Sequence, residues 1–252
     1  MAIRWISAFL DLPAQGFEES VAYWLRATDS MLSPRWGSER EFATLLPNGG
    51  DPYLCVQHLR EGKGGNHPDF HVDDLEAEAA RARELGAIVV RENPGLTVLE
   101  SPGGLPFCFV RHKEERSTPP PVLWPGGQRS RLDQICVDVP PGAFDDELVF
   151  WRTLTGWRQS TTDVREFRRL LPPPGLPLHF LLQRLDSPEP DQRATAHMDF
   201  SCSDVEAETA RHVELGAEPG RRHEHWQVMR DPVGLEYCIT DKGPDGDWLA
   251  DT

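Results

Sequence analysis

A chain of 252 residues, 38% of them hydrophobic, is long enough for one large or two ordinary domains and too apolar to stay disordered. Its net charge of −15 argues against a phosphate-backbone partner, whose affinity comes from clustered Lys and Arg, and 23 Pro with 21 Gly announce a turn-rich fold. No apolar run approaches a membrane span, and the opening MAIRWISAFLDLP is too short and too polar at its ends for a signal peptide, so the expectation is a cytoplasmic protein with no membrane or nucleic-acid partner.

Taken in chain order, each half of the sequence reads as strand, helix, two strands, then strand, helix, two strands. Ile135, Val137 and Val139 alternate with polar or small neighbours, the period of a half-buried strand. Leu148, Phe150, Trp151, Leu154 and Thr155 then recur at helical spacing up to Gly156, which places Trp151, and Trp24 at the matching position, on the buried side of a helix. A second helix starts after Asp74 or Asp204, residues suited to capping free amides, and closes at Leu-Gly-Ala. The last hairpin turns at Ser-Pro-Gly-Gly (101 to 104) or Asp-Pro-Val-Gly (231 to 234). Cys55, Cys108, Cys136, Cys202 and Cys238 lie in apolar runs without a C-x-x-C pair and are expected as reduced core or cavity residues.

These halves are one unit written twice. HPDFHVDDLEAEAARARELGA (67 to 87) aligns with HMDFSCSDVEAETARHVELGA (197 to 217), Tyr23-Trp24 with Phe150-Trp151, EFATLLP (41 to 47) with EFRRLLP (166 to 172), and SPGGLPFCFV (101 to 110) with DPVGLEYCIT (231 to 240). The domains are therefore expected at 1–113 and 130–242, separated by a Pro/Gly-rich extended linker at 114–129 and followed by an acidic tail at 243–252. Such a tandem can act as a monomer that is its own pseudo-dimer, or as a homodimer.

The ordered set of Phe/Tyr-Trp in the first helix, His-x-Asp-Phe before the second and Asp-Pro-x-Gly before the last strand, found twice, resembles the vicinal oxygen chelate (glyoxalase, bleomycin-resistance and dioxygenase) superfamily. The resemblance implies an α+β fold of tandem glyoxalase-like domains, each of two strand-helix-three-strand modules forming a cupped mixed sheet with helices outside and a metal or small ligand on the concave side. It also implies metal-ligand positions on four strands, filled in metal-dependent members by His, Glu, His and Glu. Here they hold Ser7, Gln57, His67 and Cys108 in the first repeat, and Gln134, Gln183, His197 and Cys238 in the second. One imidazole per repeat, with neutral amides beside it, is a poor set for a divalent ion, so no cofactor is expected. The alternative is Zn, Ni, Fe or Mn held by His197, Glu236, Gln134 and Gln183.

Strand alternation gives candidates without the resemblance. Met198, Phe200 and Cys202 share one face, leaving His197, Asp199 and Ser201 on the other, and the first repeat offers His67, Asp69 and His71 there. Glu236, Cys238 and Thr240 share a face of the last strand, so His197, Asp199 and Glu236 could form a general acid/base cluster or a ligand set. The first repeat has Pro106 in place of that glutamate. The competing reading is that each His-x-Asp is a hydrogen-bonded pair fixing loops, that Gln57 and Gln183 only line a wet cleft, and that Cys108 and Cys238 are small buried residues instead of nucleophiles. His223 and His225, near Arg221, Arg222 and Trp226, are either an anion or aromatic contact or a solvated loop. The expected function is small-molecule binding of the glyoxalase/bleomycin-resistance type without the usual metal site. The alternative is a metal-dependent or metal-free lyase, isomerase or dioxygenase acting in the second domain.

Overall fold

The computed structural model describes residues 3–160, 162, 164–186, 189 and 191–246. The first repeat runs β1 (Trp5–Pro13), α1 (Phe17–Ala27), β2 (Ser30–Leu32), β3 (Phe42–Pro47), β4 (Leu54–Leu59), β5 (Gly65–Val72), α2 (Leu75–Glu84), β6 (Ile88–Asn93), β7 (Leu96–Glu100) and β8 (Pro106–Arg111). After β9 (Val122–Leu123) the second repeat follows as β10 (Arg129–Val139), α3 (Phe144–Thr155), β11 (Arg158–Ser160), β12 (Phe167–Leu171), β13 (His179–Arg184), β14 (Thr195–Cys202), α4 (Val205–Glu214), β15 (Glu218–Arg222), β16 (Trp226–Arg230) and β17 (Glu236–Thr240). Three strands follow each helix where the pattern of alternation predicted two. The extra ones, β2 and β11 in the first modules, are three residues long, too short to show a period.

Each repeat supplies one open mixed sheet, ordered β2-β3-β4-β1-β5-β8-β7-β6 and β11-β12-β13-β10-β14-β17-β16-β15. The fifth and last strands of each repeat pair in parallel, with Asp69 opposite Cys108 and Asp199 opposite Cys238. β9 pairs antiparallel with the start of β10, so strand pairing reaches into the Pro-rich segment between the repeats. In the tail, Asp245 makes two 2.6 Å bonds to Arg129, and residues 247–252 lie outside the described residues.

Local chemistry sets the helix ends. The Asp74 and Asp204 side chains accept from the amides of Ala77 and Ala207, and Gly86, Gly156 and Gly216 take positive φ just past their helices.

By contacts the chain divides into two compact units, each built from half of each repeat. Unit 1 is Met1–Ala8, His67–Ser117 and Ile135–Ala196; unit 2 is Phe9–Asn66, Thr118–Gln134 and His197–Thr252. The helices explain this grouping. In unit 2, α1 of the first repeat stacks Trp24 on Phe200 of the second at 6.3 Å, and both are buried. In unit 1, α3 of the second repeat packs Trp151 against Phe70 and Phe107 of the first. An arginine closes each exchange: Arg81 donates to the carbonyl of Thr153 at the end of α3, and Arg211 to that of Ala27 at the end of α1. Cations at the orphan carbonyls of a helix C-terminus also complement its dipole.

Candidate functional site

Phe200 packs against Trp24 of α1 and His212 of α4, so the side of β14 carrying Met198, Phe200 and Cys202 faces helices. Alternation then puts His197 and Asp199 on the face turned away from them. In unit 2 this face gathers His197, Asp199, Gln134 and Cys238. His197 Nε2 lies 3.4 Å from Asp199 Oδ1 and 3.7 Å from Cys238 Sγ, and the Gln134 amide donates to the other Asp199 oxygen. Gln134 and Asp199 are almost wholly buried.

Unit 1 gathers His67, Asp69, His71, Ser7 and Cys108. His67 Nε2 stands 3.7 Å from Asp69 Oδ1, and donor atoms of His67, Asp69 and Cys108 all lie within 4.8 Å of one another. Ser7 Oγ is 3.0 Å from His71 Nε2. Burial, reinforced by the neighbouring basic side chains Arg116 and Lys113, pushes the His71 imidazole down to about 3, so it is neutral at physiological pH.

Glu236 is exposed at the start of β17, with its carboxylate 2.6 Å from Arg230, so the acid/base trio expected with His197 and Asp199 is reduced to the pair. Gln57 lies on β4 in unit 2, opposite Phe42, whereas Gln183 lies on β13 in unit 1 and accepts from Cys136 Sγ at 3.7 Å. His223 stacks on Trp226 at 4.3 Å and His225 bonds Asp241 at 2.9 Å, a surface arrangement. None of the five cysteines is in a disulfide, and all are buried.

Two features had no clear signal in the sequence. Asp133, next to Gln134, accepts from Ser201 Oγ at 2.6 Å and is raised by burial to about 6, with Arg131 opposing the rise. A cavity of about 210 Å³ in unit 2 is lined by Thr28, Asn48, Tyr53, Pro120 and Arg131 among others, and no residue of the His–Asp clusters lines it. The Pro119–Pro121 run was legible as linker but not as a cavity wall.

The four-position metal set implied by the resemblance does not fit these residues. Of the side chains at those positions only His67 and His197 are imidazoles; Ser7 is engaged by His71, and Gln134 presents its amide N–H to Asp199, a donor where a metal needs a lone pair.

The two open mixed sheets, built from repeated strand-helix-three-strand modules, each carry a His–Asp pair on the face turned away from the helices. The model of the glyoxalase-like domain family matches residues 7–110 and again 134–240, and the chain belongs to that family. No curated protein matches it in sequence. Among solved structures it is similar to a Mn(II)-bound glyoxalase from Novosphingobium aromaticivorans (TM-score 0.61, 17% identity, covering 96% of this chain and 82% of that one). It is also similar to the 2,2',3-trihydroxybiphenyl 1,2-dioxygenase of dibenzofuran-degrading Sphingomonas wittichii (0.63, 12%, 95% and 90%) and to a triple mutant of 4-hydroxymandelate synthase from Streptomyces coelicolor (0.60, 14%, 95% and 94%). At these identities the likeness is one of fold. Among the described residues no helix is long and apolar enough to cross a membrane.

Proposed function

We propose that the chain binds a small organic molecule on the helix-free face of unit 2, through Gln134, His197 and Cys238, and that it does so without the four-donor metal site of its metal-dependent relatives. The observation that carries this reading is the Gln134 amide donating to the Asp199 carboxylate: it ties together the two residues that would otherwise offer a metal its first-strand ligand and its nearest charge. Beside that pair stand the His197 imidazole, 16% exposed, and the buried Cys238 thiol, polar groups of the kind that orient a ligand. The net charge of −15 favours a cationic ligand. Because each unit already takes half of each repeat, the chain serves as its own dimer, and a monomer is expected by light scattering.

The test is a thermal-shift and calorimetric screen with cationic glycopeptides of the bleomycin kind, catechols and 2-oxo acids. A hit whose shift disappears in His197→Ala and in Gln134→Leu supports the reading. A hit indifferent to both variants removes it. The second reading, a lyase, isomerase or dioxygenase, draws on the His197–Asp199 pair and requires product formation that His197→Ala abolishes.

A further inference from the structure

We propose that unit 2 has a second binding site, separate from the His197 cluster, for a small zwitterion: an α-amino acid with an aliphatic side chain, its carboxylate on Arg131 and its ammonium on Asp29. The site is the cavity of about 210 Å³ walled on one side by the Pro-rich segment between the repeats.

The cavity is built from several elements of the unit. Asp29 stands just past the end of α1, Leu45 and Leu54 come from β3 and β4, and Arg131 comes from β10. Phe200, on the helix-facing side of β14, completes the wall, to which the His197 cluster contributes nothing. Leu45, Leu54 and Phe200 are buried, so much of the lining is apolar. The volume is below the roughly 300–1,000 Å³ of pockets for drug-sized ligands and equals that of about seven liquid waters, which calls for a small occupant.

Two charged groups line this space, and the protein satisfies neither in full. Arg131 reaches the Pro119 carbonyl at 3.5 Å and the Asp133 carboxylate at 3.4 Å, both at the long limit of hydrogen bonding, and its Nε–H is buried with no acceptor. Asp133 is held more closely by Ser201 Oγ, at 2.6 Å. The planar fork of the guanidinium therefore keeps donors for a second carboxylate. Asp29 accepts from Asn48 Nδ2 at 2.7 Å and, among the described residues, forms no ion pair.

The backbone at Asp29 adds an independent observation. Its φ of 49° lies in the left-handed region, and the second repeat has Gly156, at φ 67°, in the matching place. Glycine adopts this conformation freely, whereas a side chain there is strained. The first repeat bears that strain and gains a carboxylate in the cavity wall. One cation and one anion around a small apolar space complement a zwitterion, with its side chain against Leu45, Leu54 and Phe200. Having no net charge, such a ligand is not repelled by the chain's −15 as a plain carboxylate is. A plain amine would leave the Arg131 Nε–H without an acceptor.

Isothermal titration calorimetry of the full chain with L-valine and L-leucine tests the site. Each is compared with the acid that lacks its ammonium and the amine that lacks its carboxylate; for leucine these are 4-methylpentanoate and 3-methylbutylamine. At least one of the amino acids is expected to bind once per chain, tighter than about 1 mM, and its two analogues at least about tenfold more weakly, since each forfeits a charge-assisted bond. Arg131→Gln and Asp29→Gly should each weaken the amino acid by at least about tenfold. Asp29→Gly installs the residue that the second repeat uses, so its effect is not a folding defect, and circular dichroism confirms the fold. His197→Ala should leave amino-acid binding unchanged, which separates this site from the ligand face proposed above. No saturable binding of either amino acid, an acid analogue that binds as tightly as its parent, full affinity in Asp29→Gly or loss of binding in His197→Ala overturns the proposal.

Discussion

Asp231→Ala tests the contact that fixes α1 of the first repeat onto the second. The Asp231 carboxylate is 2% exposed and accepts from Ser20 Oγ at 2.5 Å, Trp24 Nε1 at 3.0 Å, and the backbone amides of Val233 and Leu235 at 3.0 and 2.8 Å. In unit 1 the same contact is made with reversed polarity. Ser101, at the hairpin position of Asp231, donates to Glu147 Oε1 at 2.5 Å, and Glu147 stands at the helix position of Ser20; the Gly103 amide donates to the same oxygen. Burial raises the Glu147 carboxyl above its usual range, with the Ser101 and Gly103 bonds opposing the rise. Removing Asp231 strands four donors at about 1–3 kcal/mol each. They are neighbours, and the costs do not add, so the expected loss is about 3–5 kcal/mol. Ser20→Ala, which leaves three donors on the carboxylate, should cost about 1 kcal/mol. The double variant Ser101→Asp, Glu147→Ser rebuilds in unit 1 the polarity found in unit 2 and should recover about 1–3 kcal/mol relative to the sum of its single variants. Urea unfolding followed by tryptophan fluorescence reads these differences. A loss below about 1 kcal/mol for Asp231→Ala, or a double variant no better than the sum of the singles, refutes the clamp.

Asp133 predicts a pH effect. Its folded value of about 6 stands above the ordinary 3.8, so its contribution to stability is present below 3.8 and lost as pH rises through 6. Asp133→Asn removes that dependence, and relative to wild type it should gain up to about 3 kcal/mol between about pH 4 and pH 7; urea melts showing a pH-independent difference would contradict this. Asp204→Ala deletes the α4 cap and should cost about 1 kcal/mol, with Asp74→Ala similar at α2; thermal melts with no change would show the caps to be idle. Burial holds the Cys202 thiol up at about 12, so mass spectrometry after brief alkylation at neutral pH should find it unmodified in the native chain and modified in urea.

Much of the fold was legible because the repeat supplied each signal twice. The caps at Asp74 and Asp204, the glycine stops and the burial of Trp24 and Trp151 are local chemistry, and each appears where the residues place it. The exchange of helices was not legible. Nothing in YWLRA or FWRTL says whether its aromatic pair covers the strands of its own repeat or of the other. The telling covariation, Ser20 with Asp231 against Glu147 with Ser101, emerges only when the contacts are known. Within the site, alternation put His67, Asp69, His197 and Asp199 on the correct faces, yet it also placed Glu236 beside them. Period alone ignores strand ends, where Glu236 finds Arg230 and solvent.

The two repeats differ most where their sequences look equivalent. Ala82, Phe107 and Phe150 of unit 1 correspond to His212, Tyr237 and Tyr23 of unit 2. There the His212 Nδ1 bonds the Tyr23 and Tyr237 hydroxyls at 2.9 and 2.8 Å, and its Nε2 lies 3.2 Å from Glu208. One unit thus has an apolar aromatic core beneath its sheet and the other a satisfied polar network, which fixes rotamers at the cost of desolvation. The faces above diverge in step: a serine engaged by His71 in unit 1, a glutamine engaged by Asp199 in unit 2. A duplicated chain with two copies of one task would have no reason to alter both the core and the face of a single copy. Each substitution changes the polar chemistry on the face of its own unit, so ligand binding that depends on Gln134 is expected to be confined to unit 2.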